Sequence, residues 1–565
     1  MIYDEKVWLK HYDEGVPTAL TYPKQPLYSF LEDSASNYPQ NRALSYLGND
    51  ISYSQLDSLV NKAANALLKL DVKQGDRVAL YLANSPQFII MLYATLKIGA
   101  IAVPINPLYK SAEVSYQLND SGANTVVVMS RFYSIIQEVK THTKLKNVIV
   151  TNVKDYFPTL TKMLFTLLKE KEDRVSIDKS DYSLKKLLKK SSDQKPATQV
   201  DPQDTALLQY TSGTTGTPKG VMLSHHALVV NTMQCRAWVP DTIEGEECVV
   251  GWLPFFHSFG MTACLGYTMS CAGTLVLIPN PRDLKYILKT MEKEKITIMP
   301  GVPTMYAALG HYKDVDKYDL SSVRACISGG APLMENVKDR FVEVTGAKLV
   351  EGYGLSEASP VTHANPMDAP NKPNSIGVPM PDTQCRIVDL ENGKDIVEVG
   401  QEGELIVKGP QLMQGYWGEP DLSNKTLQDG WLYTGDVVKM DEEGYFYVVD
   451  RKKDIIIVKG LNVSPTEVEK VCCTHPKVDD VAVIGIPHEY KGEEIKAFVV
   501  LKEGQEANAL EIIGYIRGKL APFKTPSSVE FVDELPKNVM GKLLRRLLLE
   551  KEMQKPNNGG NSWTR

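Results

Sequence analysis

The sequence predicts an α/β protein built as a large N-terminal unit, closed by a β-rich stretch, and followed by a small α+β C-terminal domain. Three observations carry that reading. Short apolar runs alternate with amphipathic segments over the first two thirds of the chain, the pattern of a parallel sheet covered by helices. Several of those runs, RACISGGAP, KLVEGYG and ALLQYTSG, end in glycine, where an open α/β sheet places its ligands. Near Ile376 the texture changes to strands joined by tight turns.

In order along the chain, Leu56, Leu59, Val60, Ala63, Ala64, Leu67 and Leu68 recur at helical spacing. RVALYLAN reads as a strand. FIIMLYATLKIGAIAVPI, from Phe88, and MTACLGYTMSCAGTLVLIP, from Met261, each read as a buried helix followed by a buried strand. Both are long and apolar enough to raise a membrane span, but each breaks at glycine and turns β-rich before a proline. TVVVM, NVIV, ALLQY, TLVLI, ITIMP, RACIS and KLVEG read as further strands. IGVPMPDTQCRIVD, EGELIVKGP and WLYTGDVVKMDEEGYFYVVD form the β-rich stretch, and a compact α/β pattern runs from RKKDIIIVKG to about Glu552. The tail KPNNGGNSWTR reads as disordered.

With 565 residues the chain exceeds one core. It has 63 Lys and Arg against 69 Asp and Glu, a formal net charge of −6, which argues against a nucleic-acid footprint. The N-terminus lacks the basic and apolar regions of a signal peptide. Eight cysteines are scattered without a CxxC pair or zinc spacing. They read as reduced thiols of a cytosolic protein.

One insertion, DYFPTLTKMLFTLLKEKEDR from Asp155, sets Leu160, Met163, Leu164, Leu167 and Leu168 on one helical face, with Lys162 and Lys169 off it. Packing on its own domain is the plain expectation. Contact with a membrane surface or lipid is the alternative.

Chemistry concentrates in five stretches. In YTSGTTGTPKG, Gly213, Gly216 and Gly220 free the backbone to aim N–H groups at one anion. Thr211, Ser212, Thr214, Thr215 and Thr217 add hydroxyls, and Lys219 a cation. It is not a Walker A loop, since Pro218 stands five positions after Gly213. The following VMLSHHALVV reads as the start of a helix, giving a strand–loop–helix phosphate frame. In EGYGLSE, Gly352 and Gly354 let a flat ring approach the backbone, Tyr353 offers a stacking face, and Glu357 suits a hard cation such as Mg²⁺. YTGDV supplies Asp436, a carboxylate able to accept both hydroxyls of a ribose. PKNVMGKLLRR supplies Lys542 after Gly541, and DRKKDIIIVKGLNV joins the β-rich stretch to the C-terminal pattern.

Together, in this order, these motifs resemble the adenylate-forming superfamily of acyl-CoA synthetases, firefly luciferase and peptide-synthetase adenylation domains, from about Pro26 to Glu552. QPLYSFLEDSASNYPQ, NPLY at Asn106, the insertion near Asp155 and LLQYTSGTTGTPKGVMLSHH resemble the long-chain fatty-acyl-CoA ligases.

The resemblance implies an N-terminal domain over 1–452 with two α/β sheet subdomains and a β-rich subdomain, a mobile lid over 453–554 and a tail at 555–565. It implies a ligase that activates a medium- to long-chain fatty acid as acyl-AMP, releasing pyrophosphate, and then passes the acyl group to coenzyme A, releasing AMP. ATP, Mg²⁺ and coenzyme A are the implied cofactors and substrates. The other readings are a CoA ligase for short, hydroxylated or aryl acids, and a non-catalytic lipid- or nucleotide-binding protein. A cytoplasmic location is implied, with the inner membrane face as a peripheral site, and a homodimer is allowed.

By the same resemblance Lys542 is the catalytic lysine, with Glu357 and His257 beside it in the catalytic set, and Thr211 shares the magnesium with Glu357. Gly329, Gly330, Ala331, Glu351, Gly352, Tyr353 and Ser356 frame the adenylate. Asp436 binds the ribose with Arg451 nearby, and Lys453 is the hinge. Lys459, Gly460 and Leu461 line the coenzyme A path, and His257, Phe259, Met261 and Gly330 the acyl site. Two positions depart from relatives: Ile457 stands where luciferase-like members carry lysine, and Met261 where some long-chain relatives carry a tryptophan gate.

Overall fold

The computed structural model describes residues 2–168, 173, 175–211, 217–458, 461–488, 492–538 and 540–555. The chain divides into two compact units, one of residues 1–385 with 407–432, the other of residues 386–406 with 433–565. Packing thus groups residues 386–406 and 433–452 of the β-rich stretch with the C-terminal residues, whereas the sequence reading drew its line after residue 452. A hinge is defined by movement and not by packing, so a boundary at Lys453 stays a matter for the functional proposal below.

Every apolar run of the alternating region becomes a strand. Arg77–Tyr81, Ile101–Pro104, Thr125–Met129, Asn147–Thr151 and Thr205–Thr211 lie parallel within an eight-stranded sheet. Ile298–Gly301, Ala325–Ser328 and Lys348–Gly354 lie parallel within a nine-stranded sheet with Cys248–Gly251 and Thr274–Leu277. Both sheets belong to the first unit, as the two-sheet reading expects. Helix Tyr53–Lys69 buries Leu56, Val60, Ala63, Ala64 and Leu67, and Ser52 and Gln55 cap its start reciprocally.

Neither span-like segment is a span. Phe88 lies in the wholly buried helix Pro86–Lys97, which leads into strand Ile101–Pro104. Its one charge, Lys97, is 2 % exposed and is held by Glu32, Asp57 and the side-chain oxygen of Asn61. The segment from Met261 forms a π-helix over Gly260–Gly266, helix Tyr267–Ser270 and strand Thr274–Leu277. Among the described residues no helix is long and apolar enough to cross a membrane, and the eight cysteines are unpaired.

One local expectation is overturned. KGVMLS after the glycine-rich loop is not the start of a helix. Lys219–Ser224 returns as a strand antiparallel to Thr205–Thr211, with Thr211 opposite Lys219 and Tyr210 opposite Gly220. The helix begins only at His225, where the Ser224 hydroxyl accepts from the Ala227 N–H. The loop therefore joins a hairpin, and no helix N-terminus follows it directly.

In the second unit, Trp431–Met440 pairs with Phe446–Arg451. A further sheet of Ile456–Val458, Leu461–Val463, Val478–His488, Gly492–Leu501 and Ser528–Phe531 is packed by helices Pro465–Cys473, Ala509–Arg517 and Arg545–Met553. Val463, Val468, Val483, Ile495 and Ile512 form part of its core. Residues 556–565 of the expected tail lie outside the described residues.

Candidate functional site

The first unit brings most of the predicted adenylate frame to one end of the nine-stranded sheet. Strands Ala325–Ser328 and Lys348–Gly354 are parallel neighbours, with Ser328 level with Glu351, so Gly329, Gly330 and Ala331 leave the sheet beside Glu351 and Gly352. Gly329 leaves little room for a side chain: a Cβ there would meet the Phe259 ring at 3.1 Å. Gly330 adopts φ +83°, a left-handed shape that favours glycine. The Glu351 carboxylate accepts from the Leu333 N–H at 3.3 Å, which ties the loop after Ala331 back to the sheet. Tyr353 stands opposite His363, their rings edge to face at 5.8 Å. His363 is fully buried, and burial pulls its pKa down to about 3. It is thus a neutral support behind the tyrosine.

The half-buried Glu357 follows on a short turn of helix. Its Oε1 accepts from the Tyr416 hydroxyl at 2.9 Å, and its carbonyl accepts from the Met413 N–H at 2.8 Å. Burial and the nearby Glu357 charge push the Tyr416 pKa up, so the phenol stays a donor. Ser356 lies 3.3 Å from Ser258 through their hydroxyls. That contact joins this turn to the segment bearing His257.

His257 is half-buried, and its Nδ1 accepts from the Phe259 N–H at 3.3 Å. That bond fixes the ring and leaves Nε2 to carry the proton of the neutral form. Beyond it the π-helix divides two predicted acyl residues between two cavities. Phe259 lines a small apolar cavity with Ala263, Trp238, Ile327 and Met367. Met261 lines a separate, smaller apolar space with Leu92, Leu228 and Leu265. Gly330 lines neither cavity, but Ile327 connects the first to the strand that ends before it.

Thr211 and Lys219 face each other in register at the loop end of their hairpin. Ser212, Gly213, Thr214 and Thr215, read as phosphate ligands, lie outside the described residues.

The second unit assembles its own cluster. Asp436 and Arg451 are directly opposed on neighbouring strands, Nε to Oδ1 at 2.5 Å. Asp436 is buried, 2 % exposed, and its N–H donates to the Thr434 hydroxyl. Lys453 is exposed in the turn after Arg451, and the Asp454 and Ile455 N–H groups donate back to the Arg451 carbonyl.

Lys542 sits in a tight loop organised by Asn538. That side chain accepts from the N–H groups of Met540 and Lys542, and the Asn538 backbone N–H donates to the Lys542 carbonyl. Gly541 at φ +77° makes the turn. The Lys542 residue keeps solvent contact along its length, yet desolvation around its ammonium, then the Arg451 cation, pull its pKa from 10.5 to about 8. Asp436 and Asp454 pull the other way, and Lys453 adds to the fall. Residues read from three separate stretches thus act on one ammonium. Leu461 is exposed at the start of its strand, while Lys459 and Gly460 lie outside the described residues.

Residues 31–417 match the AMP-binding enzyme family, and residues 467–542 match the AMP-binding enzyme C-terminal domain. The chain belongs to the AMP-binding enzymes. It is 43 % identical over 554 residues to a long-chain-fatty-acid–CoA ligase of Bacillus subtilis, covering 97 % of this chain and 99 % of the relative. Among solved structures it is similar to ATP-bound MatB from Rhodopseudomonas palustris, with TM-score 0.83, 30 % identity, and 94 % and 99 % of the two chains covered. It is also similar to a fatty acyl CoA synthetase of Mycobacterium tuberculosis, with TM-score 0.72, 28 % identity, and 93 % and 98 % covered.

Sequence reasoning missed three supports of this AMP-binding enzyme's site. Tyr416 orients Glu357 from 59 residues away. Asn538 shapes the lysine loop. Arg545 binds Glu469 at 2.6 Å and Asp454 at 3.4 Å, so the helix after Lys542 is tied to the turn after Lys453. Only the last left a signal, a second cationic motif in GKLLRR.

The donors present also fit a Mg²⁺ ion. It takes hard oxygens and commonly uses one or two carboxylates together with substrate phosphates. Tyr416 engages one oxygen of Glu357, and a carboxylate accepts about four hydrogen bonds or ligand contacts, so the group retains capacity. Among the described residues no group of three or more Asp, Glu, His or Cys side chains forms a metal cage.

Proposed function

We propose that the protein is an ATP-dependent fatty-acyl-CoA ligase acting through an acyl-adenylate. The observation that carries this reading is the Lys542 ammonium set beside the Asp436–Arg451 pair. That arrangement offers a ribose acceptor and a cation on one body. In the first half-reaction an acid carboxylate oxygen attacks the α-phosphorus of ATP, and the bond to pyrophosphate breaks. Anion meets anion, so catalysis rests on preorganised positive charge, which Lys542 and Lys219 supply. Bound to Glu357 and Thr211, Mg²⁺ would add charge compensation on the phosphates. The glycines at 329, 330 and 352 admit a flat base, and Asp436 accepts the ribose hydroxyls.

In the second half-reaction the thiol sulfur of coenzyme A attacks the acyl carbon and AMP leaves. For this step we assign Lys453 as the hinge of a lid over 453–554. Its exposed position in a turn lets backbone angles change without uncovering core. Lys459, Gly460 and Leu461 then border the thiol's path, so Gly460→Leu should spare adenylate formation and stop thioester formation.

The apolar walls around Phe259 and Ala263 favour an alkyl chain over a hydroxylated acid. Such substrates partition into bilayers, which supports peripheral membrane contact through the 155–174 segment. Purified protein given ATP, coenzyme A and palmitate should release AMP and pyrophosphate in step with thioester. Formation of ADP, or a preference for benzoate across a panel of acids, would overturn the assignment.

A further inference from the structure

The helix Thr159–Leu168 packs on its unit through Phe165. Phe165 packs edge to face on Phe157 at 5.3 Å, and Phe157 packs on Tyr46. Lys154 adds a bond to the Thr166 hydroxyl at 3.2 Å. The other face does not pack on its own domain, contrary to the plain expectation from sequence. Leu160 is 72 %, Met163 64 %, Leu164 50 % and Leu167 75 % exposed. Large exposed apolar residues are usually scattered, and four within eight positions on one helix face are not scatter.

Charge decides what covers this face. Lysines rim it. Lys185 lies close enough to Lys162 that its charge, after burial, lowers the Lys162 pKa, and Lys154 adds to the effect while Asp155 opposes it. Burial is the largest cause of the downward shift at Lys162. Lys185 opens the neighbouring helix Leu184–Lys190, which buries Leu184 and Leu188 and exposes Lys185, Lys186, Lys189 and Lys190. Between residues 154 and 190 the sequence carries ten Lys and Arg against six Asp and Glu, a local net charge of +4 in a chain of −6. In a two-fold dimer the same patch would face itself, setting these lysines against their own copies, which is a poor fit to a symmetric second chain. The patch and its lysines fit a surface that is apolar within and anionic at its edge.

We infer that Leu160, Met163, Leu164 and Leu167, with the Lys154–Lys162–Lys185 rim and the lysines of helix Leu184–Lys190, form a docking surface for an anionic phospholipid bilayer. This deepens the peripheral contact proposed above and rests on it. The leucines enter the headgroup–acyl boundary, and the ammonium groups meet lipid phosphates. Docking there would draw acid from the bilayer in which it is dissolved.

The test is co-sedimentation of full-length protein with vesicles of phosphatidylcholine alone, or of equimolar phosphatidylcholine and phosphatidylglycerol. Turnover of water-soluble octanoate is measured in parallel. Wild-type protein should bind the mixed vesicles and not the neutral ones, and added salt should weaken binding. Leu164→Glu with Leu167→Glu, and separately Lys185→Glu with Lys186→Glu, should each weaken binding about tenfold or more while octanoate turnover stays unchanged. Equal binding to neutral vesicles, undiminished binding by both variants, or loss of a dimer in the leucine variant with vesicle binding intact would overturn the proposal. Vesicle binding that responds to both variants without turnover of either octanoate or palmitate would uphold the surface and sink the ligase reading instead.

Discussion

Replacing Lys542 tests the centre of the mechanism. Its ammonium titrates near 8, pulled down by desolvation and by Arg451. The working form in adenylation is the cation. Activity should therefore be present below about pH 8 and be lost as pH rises through it, about tenfold per unit. This limb belongs to kcat/KM, which reports the free enzyme. A cation about 4 Å from developing phosphate charge is worth about 4 kcal/mol at an effective dielectric of about 20, or roughly a thousandfold in rate.

Lys542→Ala should lower acid-dependent pyrophosphate release by roughly that factor. Thioester formation from supplied acyl-adenylate should stay within a few-fold of wild type. Lys542→Arg keeps a cation that does not titrate, so its residual activity should lack the limb near pH 8. Equal loss in both half-reactions, or an unchanged alkaline limb in the arginine variant, would refute the assignment.

Three further outcomes follow from named contacts. Asp436→Asn removes the buried negative charge that pairs with Arg451 and replaces one acceptor oxygen with a donor, and should raise the KM for ATP by roughly tenfold to a hundredfold, as for a lost charged hydrogen bond, in steady-state kinetics. Ala263→Phe fills the cavity beside Phe259, so palmitate turnover should fall while octanoate turnover holds. Arg545→Ala leaves Glu469, already pushed toward its neutral form by burial, without its cation. That should cost the second unit about 3–5 kcal/mol in urea unfolding, and Arg545→Ala with Glu469→Gln should recover part of it.

The strands were legible because a buried parallel strand is a short apolar run between turn signals, and ALLQY, RACIS and KLVEG have no other economical reading. VMLS was misread for the same reason. A four-residue apolar run has no period that separates strand from helix, and the capping Ser224 lies at its far end. The chemical residues were legible where the motif itself holds them, as at Glu357, Asp436 and Lys542. Their supports were not. Tyr416 and Glu357 meet only because Lys219–Ser224 pairs with Gly415–Tyr416, a consequence of topology. Nor could periodicity tell whether the Leu160–Leu167 face was covered, since an amphipathic helix looks the same against a core as against a bilayer.

The charges around Lys542 have one more consequence. Arg451 and Lys453 stand against Asp436 and Asp454, and the balance leaves the lysine short of stabilisation as a cation. On the proposed reading the missing anion is the nucleotide. ATP with its ribose on Asp436 would bring phosphate charge toward the ammonium, restore its preference for the proton and raise its pKa. Near pH 8, where about half the free enzyme carries the proton, ATP binding should therefore take up a substantial fraction of one proton. At pH 6.5, more than one unit below the titration at about 8, the site is already protonated and uptake should vanish. Calorimetric binding enthalpies measured in buffers of different ionisation enthalpy would count the proton directly, and Lys542→Arg should abolish the difference. Proton release on binding at pH 8 would mean that ATP does not meet this lysine as an anion meets a cation, and the electrostatic account of the first half-reaction would fall with it.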